Sequence, residues 1–128
     1  MRMLMCSAVA VLFIALPANA EDVTSPFQAG LAAFQNEQYA EAIGLFKKAV
    51  AQEPKASAPW YWLGESYVKH GNMINAQCAF AKMLSYQESS EAANALSEVV
   101  VNRMREMSAK FSSPTAAQCV QLEKEIGP

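Results

Sequence analysis

From about residue 25 onward the hydrophobic positions recur with a helical period. Phe27, Gly30, Leu31 and Phe34 follow an i, i+3, i+4, i+7 course, which places them on one face of a helix. Ala42, Phe46, Ala49 and Val50 do the same, and Met73, Ala76, Phe80, Met83 and Leu84 repeat the pattern. The residues between these stripes are those of helix ends. Asn36 and Gly71-Asn72 tolerate a left-handed backbone. Pro54 lies where a helix must stop. Ser57 is placed to cap the next helix, with Pro59 admissible in its first turn. The pattern predicts helices over 25–36, 39–52, 57–70 and 73–86.

The stripes are copies of one another. An offset of 34 residues aligns Gly30 with Gly64, Ala42 with Ala76, Phe46 with Phe80 and Lys48 with Lys82. A period of this length is that of a helix–turn–helix unit. The second unit, with Trp60, Leu63, Gly64, Tyr67, Gly71, Ala76 and Phe80, resembles the signature of the tetratricopeptide repeat (TPR) family. The first unit matches at Gly30, Tyr39, Ala42, Phe46, Ala49 and Pro54; it departs at Pro26, where the signature has Trp, and at Ala33, where it has Tyr. The resemblance runs from Thr24 to Glu88. Its physical sense is close packing of two antiparallel helices. Gly30 and Gly64 face Ala42 and Ala76 at the crossings, while Phe46, Phe80, Trp60 and Tyr67 fill the space on either side.

A third unit would put its glycine at Glu98, its alanine at Lys110 and its aromatic at Pro114, and none of these fits. Ser89–Lys110 reads instead as one long helix, capped by Ser89 or Ser90, with Ala92, Leu96, Val99, Val100, Met107 and Phe111 as its apolar stripe. It is expected to close the stack over Tyr67 and Phe80, because an open repeat flank needs a covering element. A last helix over about 114–126, started by Ser113 and Pro114, carries Cys119, Leu122 and Ile126 on one face. The fold class is therefore all-α: a TPR-like solenoid of two repeats (about 23–56 and 57–90), then a long capping helix and a short C-terminal helix over 89–128.

The chain begins differently. Arg2 precedes a nearly continuous apolar run from Leu4 to Leu16, then Pro17 and Ala18-Asn19-Ala20. This reads as a cleaved secretory signal over 1–20, since a 13-residue run is too short to span a bilayer core, which needs about 20 residues. Removing the first 20 of 128 residues would leave 108, with nine basic and twelve acidic side chains. The short signal with its single Arg points to the bacterial periplasm, and no stable membrane span is expected after cleavage. The acidic balance excludes a broad nucleic-acid-binding surface.

No residue pattern supports catalysis. His70 is the single histidine, and a zinc site needs three or four ligands; beside Gly71 it is placed simply to meet helix-terminal carbonyls. There is no Walker-type loop, nucleophile elbow or CxxC pair, so no enzyme activity, metal or cofactor is expected. Cys78 and Cys119 remain after cleavage. The family pattern turns the Cys78 position outward, and a free exposed thiol is a liability in an oxidising compartment. A Cys78–Cys119 disulfide is one reading; two free thiols or a bridge to a partner are the others.

In TPR arrays the first helix of each unit lines a concave groove that takes a peptide segment. The resemblance places Phe27, Leu31 and Phe34, and then Tyr61, Trp62, Glu65 and Lys69, in that groove, with Arg103 added by the capping helix. Thr24, Gln28, Gln35, Ala58, Val68, Ala95, Val99 and Asn102 extend the row. The Lys and Asn positions that hold a C-terminal carboxylate in some TPR domains are here Phe27, Leu31, Trp62 and Leu96, so that clamp is absent. An apolar groove with Glu65, Lys69 and Arg103 at its margin suits a protein partner presenting apolar anchors. The expectation is an adaptor or scaffold for an envelope protein. The alternatives are a self-associating structural subunit of an envelope or secretion complex and, more remotely, a thiol-redox protein. A groove filled by the chain's own last helix is the competing structural outcome.

Overall fold

The computed structural model describes residues 24–88 and 90–127; the expected signal segment lies outside them. Six helices and no strand occur among the described residues: α1 (Pro26–Gln35), α2 (Tyr39–Gln52), α3 (Ser57–His70), α4 (Met73–Ser85), α5 (Glu91–Lys110) and α6 (Ala116–Ile126).

Most of these helices begin on a side-chain cap. Ser25 accepts from the Gln28 amide at 3.2 Å, Asn72 from Asn75 at 3.0 Å and Ser90 from Ala93 at 3.1 Å, each satisfying an amide the first turn leaves free. Gly71, at φ 93, ends α3 in the left-handed region, as its position implies. Three local expectations shift. The left-handed residue between α1 and α2 is Glu37 (φ 60), while Asn36 stays at φ −85; the chain closes there through Glu37 N to Phe34 O and Gln38 N to Ala33 O. Ser57 is the first residue of α3, and Ala56 before it makes no capping bond. The last helix starts after Thr115 rather than at Pro114, because Thr115 and Gln118 form a reciprocal capping box. Ser89, the other expected cap of α5, lies outside the described residues.

The two repeats pack as the small-and-large alternation requires. A Cβ on Gly30 would stand 2.7 Å from Phe46 Cε1, and one on Gly64 would stand 2.6 Å from Phe80 Cε1. Both rings, with Ala42 and Ala76, are sealed from solvent. Burying one such ring contributes about 2–3 kcal/mol, and only glycine at the crossing leaves room for it. Trp60 is also buried, and its Nε1 donates to Pro54 O at 2.9 Å. That bond pins the α2–α3 turn and satisfies the indole. α2 packs on both α1 and α3, α4 packs on α3, and α5 packs on α4, reaching α3 through the Arg103–Glu65 pair.

α5 packs on α4, in a different rotation from the expected one. Its buried residues are Val100 and Met107, with Leu96 and Met104 partly buried beside them. Ala92 is exposed, Val99 is 60% exposed and Phe111 46% exposed, so three residues of the expected stripe are not in the core. A polar tie helps fix the helix. Gln77, itself buried, donates from Nε2 to Met73 O and Ser112 O at 3.2 Å each, and accepts from Ser108 Oγ at 3.1 Å. Gln87 ties the other end, donating to Ala93 O and accepting from Ser97 Oγ. Tyr67 is covered not by α5 but by Lys47 of α2, whose Nζ lies over its ring at 5.9 Å and pairs with Glu125 of α6.

α6 crosses the outer face of α4 and α2. Leu122 is its buried anchor, with Cys119 and Ile126 half-buried on the same side. Lys82 Nζ pairs with Glu123 at 2.7 Å and Lys47 Nζ with Glu125 at 3.3 Å. Cys78 and Cys119 are joined by a disulfide, their Cα atoms 5.3 Å apart. Cys78 is therefore not outward-facing in the ordinary sense: it is 2% exposed because α6 lies over it. A cross-link 41 residues apart in sequence contributes about 4 kcal/mol in the chain-entropy account.

Candidate partner-binding groove

The row expected to form the groove falls on α1, α3 and α5. α1 contributes Phe27, Leu31 and Phe34, all half-buried, with Thr24, Gln28 and Gln35 exposed at its edges. Each aromatic has one face against the core. Phe27 lies 5.9 Å from Phe46, and Phe34 meets Tyr39 at 5.4 Å and Trp62 at 5.3 Å, both edge to face. From α3, Tyr61 touches Trp62 and Phe80 at 5.3 and 6.2 Å. Trp62 stacks at 6.4 Å on Phe46 and so closes the seam between the two repeats. Its first task is packing, and only its outer edge belongs to the groove. Val68 is half-buried; Ala58 and Lys69 are exposed.

Glu65 departs from its expected place at the margin. It is only 8% exposed, covered from the α5 side by Arg103, whose Nη1 stands 2.9 Å from Glu65 Oε1. That oxygen has no well-aligned hydrogen bond, so the contact is mainly coulombic. Burial raises the Glu65 carboxyl above its ordinary value, and Arg103 and Lys69 offset this only in part. Burial likewise raises the Tyr61 hydroxyl, helped by the charge of Glu65. Arg103 thus lies at the α3–α5 seam with 37% of its side chain exposed. Ala95, Val99 and Asn102 are exposed on α5. The row is therefore aromatic along α1 and α3 and small and aliphatic along α5.

Sequence reasoning missed Gln77, the α5 tie, and the pairs made by Lys47 and Lys82 with α6. Their residue types are ordinary surface types, and nothing in their spacing shows which distant helix will arrive beside them. His70 is exposed at the end of α3. Among the described residues no group of three or more His, Cys, Asp or Glu could hold a metal ion, and no helix is long and apolar enough to cross a membrane.

A family model described as Tetratricopeptide repeat matches residues 33–99, more than half of the chain. The chain belongs to the tetratricopeptide repeat family. The match begins in α1, takes in all of α2, α3 and α4, and ends within α5, so the TPR register reaches into α5. No curated protein and no solved structure matches. TPR membership assigns a protein–protein interaction module, a family role that is typically non-catalytic.

Proposed function

We propose that the protein is a non-catalytic adaptor, exported to the bacterial periplasm, that holds an extended or helical segment of an envelope protein along the α1–α3–α5 row. The observation that carries this reading is where the last helix docks. α6 packs on α2 and α4, and its disulfide and both of its ion pairs reach those same two helices. The chain's own C-terminal helix therefore does not fill the groove. Phe27, Leu31, Phe34, Tyr61 and Val99 offer apolar contact there, with Lys69 and Arg103 as cations for orientation. The export part of the reading is supported by the apolar run ending at Ala18-Asn19-Ala20 and by the pairing of both later cysteines, since disulfides persist in oxidising compartments.

Site-specific photo-crosslinking tests the surface without disturbing the core. A photoreactive residue at Val99 should give a discrete adduct in envelope preparations; the same residue at Lys48, exposed on α2, should not. Equal labelling from both positions, or none from Val99, would refute the groove. Detection of the chain with residues 1–20 still attached would refute export.

A further inference from the structure

The outer face offers a second feature, independent of the groove. α6 has eleven residues, and Leu122 is its one fully buried side chain. Helices of that length are marginal alone in water. Its two ion pairs lie at the surface, where Lys82, Lys47, Glu123 and Glu125 all keep part of their side chains in solvent, and such pairs add little. Ile126 and Gly127 border a half-open cleft of about 140 Å³ whose other walls include Val50, Trp60 and Tyr86. By contrast α1–α4 carry the repeat packing and most of the buried core. The segment from Phe111 to Thr115 that leads to α6 is short and holds Pro114, and Phe111 is exposed. Beyond Leu122, the half-buried Ile126 and the two surface pairs, the attachment of α6 is the covalent bond from Cys119 to Cys78.

We infer that α6 is a redox-conditional strap: the Cys78–Cys119 disulfide latches it across α4 and α2, and reduction by a dithiol releases it while the two repeats stay folded. A thiolate of the dithiol attacks Cys119 Sγ, the less buried sulfur of the pair, forming a mixed disulfide and expelling Cys78 as a thiolate that takes up a proton. The second thiol of the reagent then displaces Cys119, which leaves as a thiol. Two electrons pass to the protein, and the dithiol becomes a cyclic disulfide. Release uncovers an apolar seat flanked by Lys47 and Lys82. A chain that folds reduced and is oxidised later would acquire the strap last.

Hydrogen–deuterium exchange on the full chain carrying Cys6→Ser, with and without dithiothreitol, reads this directly, thiol alkylation confirming that both sulfurs are free. In the reduced chain the amides of 116–126 should exchange within about tenfold of an unstructured peptide. Those of α2 and α4 should keep at least hundredfold protection. The Cys78→Ser, Cys119→Ser double variant should behave as the reduced chain does. If α6 keeps hundredfold protection after reduction, the strap is held by packing and the inference falls. If α2 and α4 lose protection together with α6, the bond is a staple of the whole fold, and the inference falls equally.

Discussion

Adding one methyl group at Gly64 isolates the contact on which the repeat packing depends. The Cβ of Gly64→Ala would stand 2.6 Å from Phe80 Cε1, 2.7 Å from Cδ1 and 3.0 Å from Cζ. Ordinary carbon contacts are about 3.5–4.0 Å, so three ring atoms are overlapped at once. The ring is sealed on every side and cannot swing into solvent. Overpacking of this kind costs typically about 1–3 kcal/mol, and the rigidity of the site puts Gly64→Ala at the upper end. Against this stands a gain of about 1 kcal/mol for replacing glycine by alanine inside a helix. The net expectation is a loss of about 2 kcal/mol.

Gly44 supplies the internal control. It lies within α2, exposed, and a Cβ there meets nothing within 4 Å. Gly44→Ala should collect the helix term alone, a gain of about 1 kcal/mol. At about 4 °C per kcal/mol for a domain of this size, thermal unfolding followed by circular dichroism should move down about 8 °C for Gly64→Ala and up about 4 °C for Gly44→Ala. Gly30→Ala, whose Cβ would stand 2.7 Å from Phe46, should follow Gly64→Ala. If Gly64→Ala is as stable as the parent, or shifts in the same direction as Gly44→Ala, close approach at the crossing is not what the glycines supply.

Other substitutions probe the seams. Gln77→Leu removes the donor to Ser112 O and the acceptor of Ser108; it should cost about 1–3 kcal/mol through groups left unpaired, read as a lower urea midpoint. The raised carboxyl of Glu65 gives a pH signature with a definite sign. Its folded value lies above the unfolded one, so the folded state is penalised for ionising it. The penalty is absent below the ordinary carboxyl value, grows as pH rises from there to the folded value, and is complete above it. The stability of Glu65→Gln relative to the parent should therefore improve from pH 4 to pH 7; a flat difference in denaturant midpoints over that range would contradict the buried pairing. Lys82, raised chiefly by its hydrogen bond to Glu123, holds its contribution at neutral pH and loses it only as pH climbs past the ordinary lysine value. Protection of α6 amides in the oxidised chain should accordingly be unchanged between pH 6 and pH 9 once intrinsic exchange is corrected for.

The repeated part of the fold was legible because its signals are steric and local. Glycine at 30 and 64, alanine at 42 and 76 and phenylalanine at 46 and 80 admit one arrangement of two close helices, and the 34-residue offset repeats it. Six helices were readable to within about two residues at their ends, the scale on which helix termini fray. What escaped notice depends on rotation and on distant partners. Val99 and Val100 are adjacent valines, and only the docking of α5 decides that Val100 goes inside. Glu65 looked like a margin residue because charged side chains usually are; the arrival of Arg103 buried it. Cys78 sits at an outward repeat position, and α6 made it an inward one.

The end of the array follows from one missing glycine. Gly30 and Gly64 let α2 and α4 press rings against α1 and α3; at the same step α5 carries Glu98, exposed, and Lys110 and Pro114 replace the small and aromatic residues that a following helix would need. With no close crossing available, α5 is held instead by Val100, Met107 and the Gln77 tie. The next helix, lacking a third-unit socket, is carried back over α4 and α2, where Cys119 meets Cys78. That diversion has a consequence for the concave side. A third complete repeat would extend the array, whereas here Ala95, Val99 and Arg103 of α5 end the proposed row. On the proposed reading, substitutions such as Val99→Asp should weaken partner capture more than equally exposed changes on α2.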